Sequence, residues 1–83
     1  MTNKTLPLER AITYHDYVAA IGQGEAVSRQ DMAKRMQVTY STALYHLERA
    51  VSARELYKAY GFIDRQPGWL YCKPQDAPKQ ESV

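Results

Sequence analysis

Paired cysteines, long apolar runs and glycine-rich loops are what this sequence lacks. Cys72 is the only cysteine, which excludes an internal disulfide and a cysteine-based zinc cage. Two histidines and one cysteine at unrelated spacings do not make a metal site, and no cofactor is expected. The apolar stretches are only a few residues long, too short for a membrane-spanning helix. Met1 to Arg10 holds no apolar stretch of the signal-peptide kind, so a cytoplasmic protein with no membrane association is the expectation. Catalytic constellations are absent too. Gly22-Gln23-Gly24 lacks the further glycines and the Lys-Ser/Thr pair of a phosphate loop. No serine sits in a nucleophile elbow. The four aspartates and five glutamates are scattered, without a close pair for shared acid–base work. An enzyme is therefore not expected.

What is present suits one small folded domain. The 83 residues are 45% hydrophobic and 24% charged, a balance that argues against a fully disordered chain. A domain of this size buries roughly 60–65% of the surface its unfolded chain exposes. Lacking disulfides, it needs tight helix packing or a partner subunit, and a homodimer is expected. The net charge of +2 is unevenly spread. Residues 29–73 carry eight basic groups against four acidic ones, while the flanking segments are each weakly acidic. Such a basic middle suits a localised anionic partner; a solvated mixed-charge surface accounts for it equally.

The pattern of the chain predicts three helices and a hairpin. Residues 1–7 read as a flexible lead. The first helix is placed from about Leu8 to Ile21, with Pro7 at its start and Gly22 and Gly24 at its end. Leu8, Ala11, Ile12, His15, Val18 and Ala19 share one face, where His15 reads as a core histidine. Tyr14, Tyr17 and Ile21 form a second apolar edge, offered as a dimer surface. Glu25 to Val27 is an extended link. Ser28 is an N-cap with Asp31 three residues on, and Val27 and Met32 are placed as a hydrophobic staple. The second helix then runs from Arg29 to Met36, with Met32, Ala33 and Met36 inward. After a tight turn at Gln37-Val38, Thr39 caps a third helix reaching Ser52 or Arg54. Its apolar face is Tyr40, Ala43, Leu44, Leu47 and Val51. Thr42, Tyr45, His46 and Arg49 share the opposite face, without a carboxylate among them. Two aromatic-rich segments, Leu56–Ile63 and Trp69–Lys73, read as strands of a hairpin. Its tip is placed near Asp64 to Gly68 on the turn signal Gln66-Pro67-Gly68. The domain spans residues 8–73, and residues 74–83 read as a disordered tail.

Helix, link, short helix, tight turn, helix, hairpin is an order that resembles the winged helix-turn-helix family. The fold class is thus α+β, mostly α. The segment Val38-Thr39-Tyr40-Ser41-Thr42-Ala43-Leu44-Tyr45-His46-Leu47-Glu48-Arg49 is similar to the recognition helix of ArsR-like repressors. There a Ser-Thr pair is followed by an apolar residue, then His-Leu and a basic stretch. The small size is similar to pilus regulators of the PapI/FaeA type. The chain departs from those patterns in two places: it has no metal-sensing cysteine pair, and Ser52 to Tyr60 is long for a helix-to-wing link and lacks the usual glycine.

The resemblance implies a sequence-specific regulator of transcription that binds double-stranded DNA, with the third helix in the major groove. Under it, Ser41, Thr42, Tyr45, His46 and Arg49 contact bases or phosphates, Arg49 being suited to a bidentate guanine contact. Arg29, Lys34 and Arg35 hold the backbone, and Arg65 at the hairpin tip reaches a minor groove or phosphate. Tyr40 serves either the core or the DNA. His46 is either a contact or simply exposed, and Arg65 and Lys73 are either contacts or ordinary surface charges. Phe62, Trp69 and Tyr71 are expected to pin the hairpin onto the helices rather than to stack on bases. Two other functions fit the same fold: a module docking on a larger regulator or polymerase subunit, and an accessory factor for replication, excision or partition of mobile DNA.

Overall fold

Side-chain caps decide where the helices begin. In the computed structural model, which describes residues 12–77, helix α1 covers Tyr14–Ala20. Thr13 Oγ1 accepts from the His15 amide while Asp16 returns a carboxylate to the Thr13 amide at 2.8 Å, a reciprocal cap that fixes the first turn. The expected helix therefore begins at Tyr14 within the described residues, with Ile12 non-helical and exposed; the expectations for Pro7, Leu8 and Ala11 and for the 1–7 lead lie outside them. The face is also different from the expected one. Tyr17 and Ile21 are fully buried, whereas His15 and Ala19 are exposed. His15 is thus a surface residue, stacked on Tyr14 and 3.5 Å from Glu55. The edge offered for dimerisation is consumed by the core: Tyr17 and Ile21 are fully buried, and Tyr14 packs against them, as does Val18 from the expected face.

Helices α2, Arg29–Met36, and α3, Tyr40–Ser52, start where their caps predict. Ser28 Oγ accepts from the Asp31 amide at 3.1 Å, and Thr39 Oγ1 from the Thr42 amide at 3.2 Å. Val27 and Met32, the two staple positions, are both in the core. α2 stops at Gln37, which takes the left-handed conformation (φ 59°). The Val38 and Gln37 amides return to the Ala33 and Lys34 carbonyls, the paired bonds of a Schellman ending. α3 ends the same way on Arg54 (φ 63°), with the Glu55 and Arg54 amides on the Ala50 and Val51 carbonyls. Arg54 stands where the helix-to-wing link would ordinarily place glycine.

Strand β1, Val27–Ser28, pairs antiparallel with β3, Gln66–Cys72, which pairs antiparallel with β2, Tyr57–Ile63. The sheet order is β1-β3-β2. Ile63 faces Gln66, so the hairpin turns on Asp64 and Arg65 alone, both at positive φ (53° and 67°). The expected turn at Gln66-Pro67-Gly68 is corrected: those residues open strand β3. Pro67 is tolerated there because β1 reaches only to Leu70, leaving that side of β3 without a ladder partner to miss the absent N–H. The expected tail boundary also shifts. Pro74–Asp76 forms a 3-10 turn, and Asp76 Oδ2 accepts from the Gly24 amide at 2.6 Å.

The core joins α1 (Tyr17, Ile21), α2 (Met32, Ala33), α3 (Ala43, Leu47, Ala50), Val27, Leu56 and Tyr71. Three helices carrying a short strand and a C-terminal hairpin, with α2 and α3 joined by a tight turn, make this a winged helix-turn-helix. Among the described residues, no helix is long and apolar enough to cross a membrane.

Candidate nucleic-acid interface

Burial of Ala43, Leu47 and Ala50 sets the rotation of α3. It leaves Ser41, Thr42, Tyr45, Arg49 and Ser52 along the outward stripe, all exposed. Thr42 and Thr39 hydroxyls bond at 3.0 Å, which orients the first turn. Tyr45 is 57% exposed. The Arg49 guanidinium lies over two rings, 5.7 Å from Tyr45 and 6.0 Å from Tyr14. This holds the cation at the surface, with no carboxylate partner among the described residues. Tyr14 was expected on a dimer edge; it reaches Arg49 because that edge, rather than the His15 face, packs inward.

His46 leaves the face it was expected to share. Its ring stacks on Tyr17 at 4.8 Å and meets Tyr45 edge-on. His46 Nδ1 is buried and finds no hydrogen-bond partner among the described residues, so the side chain belongs to the α1–α3 contact. Tyr40, expected chiefly as a core residue, is 44% exposed. It lines a cleft of about 440 Å³ between the start of α2 and the hairpin, together with Arg29, Gln30 and Trp69.

The five expected phosphate-holding or base-reading cations divide in two. Lys34 and Arg65 are exposed, as is Arg49, and none makes an ion pair among the described residues. Arg35 instead makes two hydrogen bonds to Glu25, at 2.9 and 2.8 Å, and a third to the Ala20 carbonyl. That pairing, with the Gly22 amide bond, holds the Glu25 carboxyl down at about 2. Arg35 is therefore a strut tying α2 to the link after α1.

Arg29 is engaged in a network that joins α2, α3 and both hairpin strands. Its Nε donates to Tyr71 Oη at 3.0 Å, Tyr71 donates to Glu48 at 2.6 Å, and Lys58 Nζ sits 2.9 Å from both Glu48 oxygens. Burial, then the bond to Glu48, pushes the Tyr71 hydroxyl up to about 12. Burial works against the Glu48 carboxylate, yet the bonds from Tyr71 and Lys58 hold it below the usual range. Sequence reasoning missed this centre because its members are up to 42 residues apart.

The hairpin aromatics also divide. Tyr71 is fully buried and does pin the hairpin. Phe62 is 68% exposed and does not, and Trp69 is only partly covered, with Tyr60 edge-on at 5.4 Å and Lys58 over its ring at 4.7 Å. Cys72 is a free, half-buried strand residue. Burial, reinforced by the Asp76 charge, raises its thiol and disfavours the reactive thiolate. Among the described residues no group of His, Cys, Asp or Glu is placed to hold a metal ion.

The chain matches no family pattern, no curated protein and no solved structure.

Proposed function

We propose that this protein is a sequence-specific regulator of transcription that binds double-stranded DNA through α3. The observation that carries the reading is the outward stripe of Ser41, Thr42, Tyr45 and Arg49, exposed and free of carboxylates. A helix of this length fits the major groove, where hydroxyls and a guanidinium read base edges. The hairpin tip, with exposed Arg65, lies on the flanking backbone or minor groove. The test is selection from a random duplex pool, then a salt titration on the enriched site and a scrambled control. Enrichment, with much tighter binding than to the control, supports a sequence reader. Arg49→Ala should then weaken cognate binding by about 1–3 kcal/mol. No enrichment, with only weak and fully salt-suppressed binding, refutes it.

A second reading, a module docking on a larger regulator or polymerase, is favoured by one observation. Arg29 and Arg35 spend their charge inside the fold, which lowers the attraction available to a polyanion. A stoichiometric protein captured from nuclease-treated lysate, together with no measurable DNA affinity, selects that reading. A role in replication, excision or partition of mobile DNA uses the same α3 surface and is separated only by the identity of the selected site.

A further inference from the structure

The outer strand of the hairpin is an edge without the usual protection. Among the described residues, the order β1-β3-β2 leaves one side of β2 unpaired along seven residues, Tyr57–Ile63. Its ladder with β3 runs unbroken from Tyr57↔Cys72 to Ile63↔Gln66, so no bulge twists the edge away. It contains no proline, and its single charge, Lys58, is turned onto Glu48. Monomeric proteins blunt such edges with charge, proline or bulges. Two of its side chains are also large and exposed, Tyr60 at 62% and Phe62 at 68%, next to Pro67 and Trp69 on the same face.

We propose that β2 pairs along this edge with β2 of a second copy, antiparallel, about a two-fold axis at Gly61. Facing residues in an antiparallel ladder point to the same side of the sheet. A two-fold pairing must therefore set a residue opposite itself, and Ala59, Tyr60 and Gly61 lie near enough to the strand centre to keep most of the ladder; the Ala59 register would set Lys58 against the partner's Tyr60 and leave Phe62 facing position 56, outside the strand. The Gly61 register sets Tyr60 opposite the partner's Phe62 and Phe62 opposite the partner's Tyr60. It also sets Lys58, which stays on Glu48, opposite the partner's Asp64, an exposed carboxylate, so no like charges meet at either end. Ala59 then faces the partner's Ile63 on the other side of the sheet. The Tyr60 register would set Lys58 against an aromatic ring and leave Asp64 without an opposite charge. Because the axis is normal to the sheet, both copies of α3 stand on one side of it. Self-complementarity of this kind is what an isologous dimer requires.

The inference stands apart from DNA binding, and its test uses no DNA. Sedimentation of the full chain from micromolar to millimolar concentration is expected to show a dimer. Phe62→Lys, at a position already solvent-exposed, should weaken it by roughly tenfold or more with an unchanged circular-dichroism spectrum. In a Cys72→Ser background, Gly61→Cys should form an intermolecular disulfide on mild oxidation, since facing Cα atoms about 4.5–5.5 Å apart suit one. The added Cβ meets only the end of Leu70, at 3.3 Å. Tyr60→Cys should not cross-link. A chain that stays monomeric throughout, a dimer indifferent to Phe62→Lys, or cross-linking through Tyr60→Cys instead would overturn the proposal. If Gly61→Cys fails to fold, the masses of the wild type and Phe62→Lys decide.

Discussion

Tyr71 spends its hydroxyl twice, accepting from Arg29 and donating to Glu48, in a position from which water is excluded. Ionising it would place a second negative charge against Glu48. Its folded value of about 12 lies above the ordinary 10.0, so the unfolded chain releases this proton first as pH rises. Stability is therefore unaffected below pH 10 and falls from about 10 to 12, by an amount of order 2 kcal/mol. Tyr71→Phe should flatten that alkaline limb in urea unfolding measured across the pH series, leaving the smaller contributions of Tyr17 and Cys72, which shift in the same direction. A limb of unchanged slope would remove Tyr71 as its source. The acid side runs oppositely. Glu25 is held at about 2 against a usual 4.5, so its stabilising pair with Arg35 is complete above 4.5 and is lost as pH falls towards 2. Glu25→Gln should flatten that limb, read by the same series. None of this was legible in the sequence. Arg29 and Arg35 present themselves as basic residues at the ends of a short helix, and their partners become neighbours only through the fold. Thr42, Tyr45 and Arg49 were legible because helical spacing alone places them together.

Helices α2 and α3 were readable to their first residues because Ser28 and Thr39 announce them with local hydrogen bonds. Helix α1 was not, because Leu8, Ala11, Ile12 and His15 mimic one helical stripe while Tyr14, Tyr17 and Ile21 make another; packing against α3 chose the second. The hairpin tip was misplaced for a related reason. Pro67-Gly68 is a stronger turn signal than Asp64-Arg65, yet the two-residue hairpin turns need a positive φ at their first central residue, and type I′ at both, and a proline cannot supply one. Correct placement would have put Lys58, Tyr60 and Phe62 opposite Tyr71, Trp69 and Pro67 and exposed the aromatic row. The turn also leaves a mark in energy. Arg54 and Arg65 both sit at positive φ, where a side chain costs about 1–2 kcal/mol relative to the right-handed region. Arg54→Gly and Arg65→Gly should each stabilise the fold by about 0.5–1 kcal/mol after the greater chain entropy of glycine is counted. Chemical denaturation measures this, and a loss in either variant would mean that the arginine side chain holds a contact worth more than the strain. If Arg65 touches DNA, its glycine variant should gain stability and lose affinity together, a divergence that Arg54→Gly should not show.

Across the whole molecule, the basic excess of residues 29–73 shrinks once the fold is formed. Of Arg29, Lys34, Arg35, Arg49 and Arg65, two are paired internally, and three remain at the surface. Each phosphate neutralised by a free cation contributes about −0.9 to the slope of log affinity against log salt. Five contacts per protomer would give about −4.5; three give about −2.7. The DNA-binding reading therefore predicts the shallower slope for the selected site, with the affinity difference between cognate and scrambled duplex carried by hydroxyls and Arg49 rather than by bulk charge. Arg49→Ala and Lys34→Ala should each lower the slope by about one contact, whereas Arg35→Ala should leave the slope alone and destabilise the fold, because it removes a strut from the α1–α2 link. The edge-paired dimer adds a further distinction: it doubles the slope per bound unit without changing the value per protomer. A slope near −4.5 per protomer would require Arg29 or Arg35 to leave its carboxylate for a phosphate on binding. That exchange would appear as an acid-limb change on adding DNA, since Glu25 would lose the cation that holds its proton off.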